Sequence, residues 1–264
     1  MRRKLTLLCG CLLGLSVANA AFANPVAPVT PSAQPVRFAT STVRPWGMNI
    51  GGKEQGLLVN VFNALHRHTG IAASNQLQPY PRVIYSVYSG VVDLAVLFDS
   101  PSARENAIRV GHLVDTRVLI VARSGTKPID SLEQLEGQLV GYIRGSKYGP
   151  SFDNATHFTR LAVNTMEQGL AMLIRNRLDA MAGTDQSFYW AMKQMRLGTS
   201  QLSQLLVVGG ATGSLYMSKN SPRQDLIPVY QDALKALHKD GTLSEIFSES
   251  HEWGVPENWP DGPR

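Results

Sequence analysis

Cysteine is nearly missing from this 264-residue chain. The two that occur, Cys9 and Cys11, both lie within residues 1–23. If that segment is removed, no thiol remains, which excludes disulfide frameworks, thiolate zinc sites and cysteine nucleophiles. The core must then stabilise the fold unaided. With 44% hydrophobic residues, a chain of this length can form one large core or two smaller ones.

Long apolar runs are also missing. The longest covers about residues 5–17, shorter than the ~20 residues that span a bilayer. The basic residues 2–4 precede it, and Ala-Asn-Ala at 18–20 or Ala-Phe-Ala at 21–23 offers small residues for cleavage. We predict a secretory signal peptide, which exports the mature protein. A lipid anchor at Cys11 is the alternative use of this segment.

An excess of one charge is absent as well. The chain has 25 basic and 20 acidic residues, and removal of the three basic residues at positions 2–4 leaves 22 against 20, a net charge of +2. No run of lysine or arginine remains, so the surface lacks the electrostatic footprint of a nucleic-acid or anionic-membrane binder. Residues 24–35 are proline-rich without an apolar period, and predict a stiff extended leader before the folded domain.

Helices and short apolar strands alternate along the rest of the chain. A helix is predicted up to Gly70, a residue suited to a helix C-cap, and the tail from about Pro222 to Ser250 is also predicted to be helical. The predicted strands cover residues 36–40, the segment ending near Phe98, and residues 117–122, 138–143, 178–183 and 205–208. This alternation indicates an α/β protein with largely parallel sheets.

One pattern occurs in both halves of the chain. Residues 83–97 and 169–183 each read as a helix, a break, an aspartate and a strand. The echo favours two sheets, although two unrelated βα units can show the same pattern by chance. If it is real, the strand ends after Phe98 and Gly183 face each other across a cleft. Ligands of open α/β sheets bind at such carboxyl ends.

Four segments of the chain resemble segments of a known family, and they occur in the same order as in that family. Residues 131–149, SLEQLEGQLVGYIRGSKYG, are similar to its "DL.G..VGV..G" segment, and residues 233–247, ALKALHKDGTLSEIF, to its C-terminal "AL..L..DGT...I" helix. SGVVDLAV at 89–96, followed by SARENAIRV at 102–110, resembles its "G..D" strand and arginine-bearing loop. Over nearly all of residues 36–254 the chain resembles the bacterial extracellular solute-binding proteins of the amino-acid type (family 3), the periplasmic components of ABC importers.

The resemblance implies a periplasmic-binding-protein fold of type II, with two α/β lobes joined by two hinge strands. Lobe 1 would comprise residues 36–122 and 213–264, and lobe 2 residues 123–212, with crossings near 120–126 and 209–216. Such a protein captures a small polar ligand, here an amino acid or related carboxylate, and delivers it to the membrane permease of an ABC importer. A monomer without a cofactor or metal and without enzymatic activity is expected.

The family's carboxylate-binding arginine corresponds to Arg104. A guanidinium fork can hold a carboxylate with two charge-assisted hydrogen bonds, each worth ~1.5 to 3 kcal/mol. A solvated surface arginine is the alternative, and Arg82 is a competitor. Ser146 matches a position near a helix start where hydroxyl and backbone N–H groups bind anions, although an ordinary helix N-cap explains it equally well. Tyr148 shares this loop, and Ser100 could add another hydroxyl.

The family's ammonium-binding acidic residue corresponds to Asp185. It lies six residues after Asp179, where five is usual, so Thr184 is the alternative occupant of that position. Trp46 matches an aromatic residue that stacks on the ligand, with core packing as the other interpretation.

Two other functions remain open. The family also resembles periplasmic prephenate or arogenate dehydratases, which need a general acid that Asp185, Glu105 or His112 could supply. A soluble sensory or accessory module would use the same fold and cleft.

Overall fold

A computed structural model describes residues 34–248 of the chain. The predicted signal peptide and most of the predicted leader lie outside these residues. The strands are β1 (Val36–Ser41), β2 (Met48–Ile50), β3 (Lys53–Gln55), β4 (Ala73–Gln78), β5 (Leu94–Phe98), β6 (Ala107–Arg123), β7 (Leu139–Ile143), β8 (Thr159–Val163), β9 (Ala180–Thr184) and β10 (Leu202–Ser218). The helices are α1 (Leu57–Thr69), α2 (Tyr80–Ser89), α3 (Pro101–Asn106), α4 (Pro150–Asp153), α5 (Met166–Ile174), α6 (Asp185–Met195), α7 (Ile227–Lys239) and α8 (Thr242–Ser248).

Helix α1 shows how the local sequence produces these elements. Its apolar residues recur at helical spacing, so that Leu58, Val61 and Leu65 are all buried on one side. Gly70 ends the helix in the left-handed conformation, with φ of 64°, and its N–H bonds the carbonyl of His66. The C-cap predicted from the sequence is therefore present. Among residues 34–248, no helix is both long and apolar enough to cross a membrane.

Eight of the strands form one sheet, in the order β4-β1-β5-β10-β6-β9-β7-β8. The outer strands pair in parallel, β1 with β4 and β5, and β7 with β8 and β9. The central pairs, formed by β6 and β10, are antiparallel. The prediction of parallel strand pairing is therefore confirmed for the outer strands but not for the central ones. The two sheets expected from the sequence form a single continuous sheet.

The long strands β6 and β10 join the sheet, and each is 17 residues long. β10 pairs with β5 through Gly213–Met217, whereas β6 pairs with β9 through Val118–Val121. Between these segments both strands pass from one half of the sheet to the other. We call β4, β1, β5 and the adjoining parts of the long strands the first half, and β9, β7, β8 and the remaining parts the second half. The residue boundaries assigned to the lobes stay a prediction.

Each half has a hydrophobic core of its own on both sheet faces. In the first half, α1, α7 and α8 cover one face and α2 covers the other. In the second half, α5 and α6 cover one face and α4 lies on the other. Val43, in the loop after β1, packs against clusters of both halves. The two α/β halves implied by the resemblance are thus observed.

The aspartates of the repeated sequence pattern occupy matching places. Asp93, just before β5, accepts a hydrogen bond from the backbone N–H of Arg37 in β1 at 2.9 Å. Asp179, just before β9, accepts one from the N–H of Leu139 in β7 at 2.8 Å. Each aspartate therefore joins the start of its strand to the parallel neighbour. The echo between the two halves of the sequence has a structural counterpart.

Candidate functional site

A cavity lies between the two halves, beside the ends of β5 and β9. Its volume is about 40 Å³, measured as the space open to the centres of water molecules. Phe98 and Thr184, the last residues of β5 and β9, both line it. The carboxyl ends of the two strands therefore meet at one cavity, as the sequence pattern predicted.

A chain of hydrogen bonds crosses the junction at this cavity. The indole Nε1 of Trp46, in the first half, donates to Ser187 Oγ on α6 at 3.2 Å. Thr184 Oγ1 donates to the same oxygen at 3.0 Å. Trp46 also packs edge-on against Phe98, with ring centroids 6.0 Å apart. Trp46 thus belongs both to the core of the first half and to the wall of the cavity.

Two buried tyrosines form another part of the wall. Tyr80 begins α2, and its hydroxyl oxygen accepts a hydrogen bond from the N–H of Phe98 at 3.2 Å. Burial raises the pKa of Tyr80 to about 12. Burial also raises the pKa of Tyr148, which faces the cavity from the second half. Both phenols are therefore neutral near pH 7.

Ser146 lines the cavity but does not cap a helix. Helix α4 begins at Pro150, with Gly149 at its N-cap position, and the N–H of Ser146 bonds the carbonyl of Ile143 at 3.0 Å. The backbone N–H of Ser146 is thus already satisfied. The adjacent Gly145 has φ of 82°, and a Cβ there would lie 3.0 Å from Cγ of Pro81 in the first half. The two halves approach each other closely at this loop.

Asp185 is buried and bonded within the protein. One carboxylate oxygen accepts from Thr116 Oγ1 at 2.6 Å and from the N–H of Gln186 at 2.9 Å. The other lies 3.3 Å from Nε of Arg117, whose guanidinium also donates to the Tyr189 hydroxyl at 3.0 Å. Asp185 is not among the residues that line the cavity, whereas Thr184 is.

The other predicted ligand residues lie away from the cavity lining. The side chains of Arg82, on α2, and Arg104, on α3, are exposed. Ser100 caps α3, because its hydroxyl accepts from the N–H of Ala103 at 3.1 Å. The structure therefore brings together four of the eight predicted residues: Trp46, Ser146, Tyr148 and Thr184.

Several lining residues were not predicted from the sequence. Ser41, Tyr80 and Ser187 add polar or aromatic groups to the wall. A weak signal existed for Ser187, because it follows Thr184 by three residues and so lies on the first turn of the next helix. The others face the cavity through the contact of distant segments.

Solved structures of similar fold include several ligand-binding domains. The GluR0 ligand-binding core from Nostoc punctiforme, in complex with L-glutamate, matches with a TM-score of 0.68 and 17% identity, over 81% of this chain and 98% of that one. The substrate-binding protein of an amino acid ABC transporter matches with a TM-score of 0.69 and 15% identity, over 83% and 99%. A histidine kinase sensor domain with similarity to periplasmic binding proteins matches with a TM-score of 0.71 and 16% identity, over 82% and 95%.

These likenesses show that the chain has the periplasmic-binding-protein fold. No protein-family model matches the sequence, and no curated protein matches it.

Proposed function

We propose that this protein is an exported solute-binding protein, which holds a small organic molecule in the cavity between its two halves. The observation that supports this proposal best is the position of the cavity. Residues of both halves line it, and both contribute hydroxyl groups, such as Ser41 from the first half and Ser187 from the second. A ligand there would contact both halves at once, and its binding would favour their approach.

Enclosure by two halves matters because a small ligand has few atoms. Micromolar binding requires about 8 kcal/mol, and a molecule of ~10 heavy atoms must supply it at close to the upper range of ligand efficiency. Contacts from a single half would expose much of the ligand to water. Such a ligand would enter between separated halves, which then close around it.

The resemblance and the neighbours support the proposed ligand class and partner. The neighbours' descriptions name L-glutamate for one and an amino acid ABC transporter for another. On this basis we propose a periplasmic monomer that delivers a small organic molecule to a membrane permease, and an amino acid or related carboxylate is the class that the resemblance favours. The sensor domain among the neighbours supports a sensory role on the same fold as the second candidate.

An enzymatic role has less support from the geometry. Of the candidate acids, Asp185 is bonded to Arg117 and Thr116, and Glu105 is exposed on α3. His112 contacts Asp115 and stacks on His238. None of the three candidates lines the cavity. A general acid must reach the group that it protonates, so the cavity does not offer a dehydratase its acid.

Binding is testable with residues 24–264 and a panel of amino acids, organic acids, amides and alcohols. A ligand at 100-fold excess over its Kd stabilises the fold by about 2.7 kcal/mol, which a thermal-shift assay detects. The variant Ser187→Phe, which fills the cavity, should lose this shift. The matched control Ser244→Phe, at an exposed position on α8, should keep it. A panel in which no compound raises the melting temperature would refute the proposal.

A further inference from the structure

We infer that the cavity accepts an uncharged ligand, with an apolar body and one or two neutral polar atoms, instead of a zwitterion or a carboxylate. This inference rests on the proposed solute-binding function and narrows its ligand class. It departs from the carboxylate expected from the sequence. The structural basis is the charge state of the cavity wall and of the acidic residues beside it.

The described residues that line the cavity include no arginine, lysine, histidine, aspartate or glutamate. Their polar side chains are hydroxyls and the indole N–H of Trp46. The tyrosines are neutral, because burial raises the pKa of both Tyr80 and Tyr148. A carboxylate or ammonium group enclosed by this wall would lose its hydration without gaining an opposite charge, which is strongly unfavourable.

An aspartate follows directly after each strand end at the cavity, and each is held by an arginine of β6. Asp99 follows Phe98, and its carboxylate lies 3.1 Å from Nε of Arg109. The hydroxyl of Tyr216 donates to the other oxygen of Asp99 at 2.9 Å. In the second half, Asp185 follows Thr184 and lies 3.3 Å from Nε of Arg117. The two halves thus neutralise equivalent acidic groups in the same way.

These pairs leave little capacity to bind an ammonium group. Asp185 is 2% exposed, and both of its oxygens have partners within the protein. Releasing it toward a ligand would leave Arg117 without its carboxylate in a largely buried place. The unfavourable loss of that pair would oppose ligand binding. Asp99 is likewise shared between Arg109 and Tyr216.

The groups that do face the cavity suit a neutral molecule. Ser187 Oγ accepts from both Trp46 and Thr184, so its own proton remains for a ligand acceptor. Ser41 Oγ accepts from the N–H of Val43 at 3.1 Å and also keeps its proton. The rest of the wall is apolar, formed by aliphatic and aromatic side chains such as Leu58, Ile143 and Phe98. Alcohols, amides and similar neutral molecules match this combination.

Matched ligands of similar shape test the inference. Isothermal titration of residues 24–264 would compare benzyl alcohol and benzamide with benzoate and benzylammonium, and isovaleramide with isovalerate and leucine. We expect at least one neutral member to bind about tenfold or more tighter than each of its charged counterparts, because a charge would enter an uncompensated wall. A carboxylate or zwitterion that binds as tightly as its neutral counterpart overturns the inference and leaves the proposed function intact. Binding by none of them overturns the inference, and the wider panel of the thermal-shift assay then decides the proposed function.

Two variants at position 184 distinguish the effect of wall charge on ligand preference from the effect of wall shape. Thr184→Asp places a carboxylate in the wall and should shift the preference toward benzylammonium by about tenfold or more. Thr159→Asp, at an exposed site on β8, should not change the preference. Thr184→Val, which is nearly isosteric and uncharged, covers the case in which Thr184→Asp does not fold. It should weaken the neutral ligands several-fold without a gain for charged ones, and a gain for a charged ligand contradicts the inference.

Discussion

Trp46 and Ser187 lie 141 positions apart in the sequence, yet the indole N–H of Trp46 donates to the Ser187 hydroxyl at 3.2 Å. Trp46 belongs to the core of the first half, and Ser187 lies on the first turn of α6 in the second half. A second contact of this kind joins Arg44 to Glu167, at 3.6 Å. The structure therefore shows the two halves in direct polar contact beside the cavity.

Ser187→Ala removes the acceptor of this hydrogen bond. We expect ligand affinity to fall about fivefold or more, because the variant removes both the bond that joins the halves and the hydroxyl that faces the ligand, and each hydrogen bond is worth ~0.5 to 1.5 kcal/mol. Isothermal titration with any ligand found in the screen measures the change. Ser244→Ala, on the exposed side of α8, is the control and should bind as the unmodified protein does. Equal affinities for both variants would show that the bond does not contribute to closure.

Asp185→Asn breaks the buried ion pair with Arg117. We expect the free energy of unfolding to fall by about 3 kcal/mol, because removal of one partner leaves the other charge uncompensated. Urea denaturation measures this loss. Asp232→Asn disrupts the exposed pair with Lys235, which is 3.0 Å long, and should cost less than ~1 kcal/mol. If both substitutions cost the same, the pair of Asp185 with Arg117 is not a stabilising element.

Because of Asp93, we expect the free energy of unfolding to depend on pH in the acid range. Burial raises the pKa of this carboxyl group, but hydrogen bonds from Arg37 and Ser221 outweigh burial and hold the pKa below its usual value of 3.8. A carboxyl whose pKa is lower in the folded state stabilises the fold above the unfolded pKa. That contribution is lost as the pH falls through the folded pKa. The effect is therefore expected below about pH 4.

Asp93→Asn should reduce the free energy of unfolding at pH 7 by about 1 to 3 kcal/mol, and by less at pH 3, because below the ordinary pKa of 3.8 the unfolded chain gains a proton at Asp93. Thermal unfolding of both proteins across this pH range gives the difference directly. Asp225→Asn, at an exposed position, should give a small difference at every pH. A difference for Asp93→Asn that stays constant between pH 7 and pH 3 would contradict the assignment.

Gly145→Ala tests the close approach of the halves at Pro81. The substitution adds strain at a φ of 82° and places a Cβ 3.0 Å from Cγ of Pro81. Gly125 has φ of 86° and nothing within 4 Å of the point that a Cβ would occupy, so Gly125→Ala has the strain without the crowding. Both variants should lose about 1 kcal/mol of stability. Gly145→Ala alone should also weaken ligand binding, measured by titration, and similar affinities would argue against closure at this loop.

Much of the fold could be predicted from the sequence, because it depends on local patterns. Short apolar runs, about five or six residues long, predicted the central residues of several strands. Gly70 predicted the end of α1. The full extent of β6 and β10 was not predictable in this way. Residues 107–116 include polar and glycine positions, and they are extended because they pair with a strand about a hundred positions later. The hairpin of β2 and β3 also lacks an apolar pattern that could predict it, since its residues are mostly exposed.

The repeated pattern predicted where the candidate site lies, but its individual residues were predictable only where the family resemblance supplied a position. The resemblance indicated Trp46 and Ser146, and the unusual spacing after Asp179 left open whether Thr184 or Asp185 faces the cavity. The structure places Thr184 there. The sequence could not supply the reason, because Arg117, which holds Asp185, lies 68 positions earlier. Partners so far apart leave no local pattern.

The order in which the chain completes its cores follows from β10 and the last helices. The core of the first half needs Leu215 and Met217 from β10, and Tyr230 and Leu234 from α7, as well as the strands near residue 36. During synthesis, the strands near residue 36 therefore lack a complete core until residues up to about 234 have been made. Such a delay keeps the early chain unfolded for longer, a condition that would suit the proposed export. The second half, whose strands β7, β8 and β9 are close in sequence, can assemble most of its structure earlier.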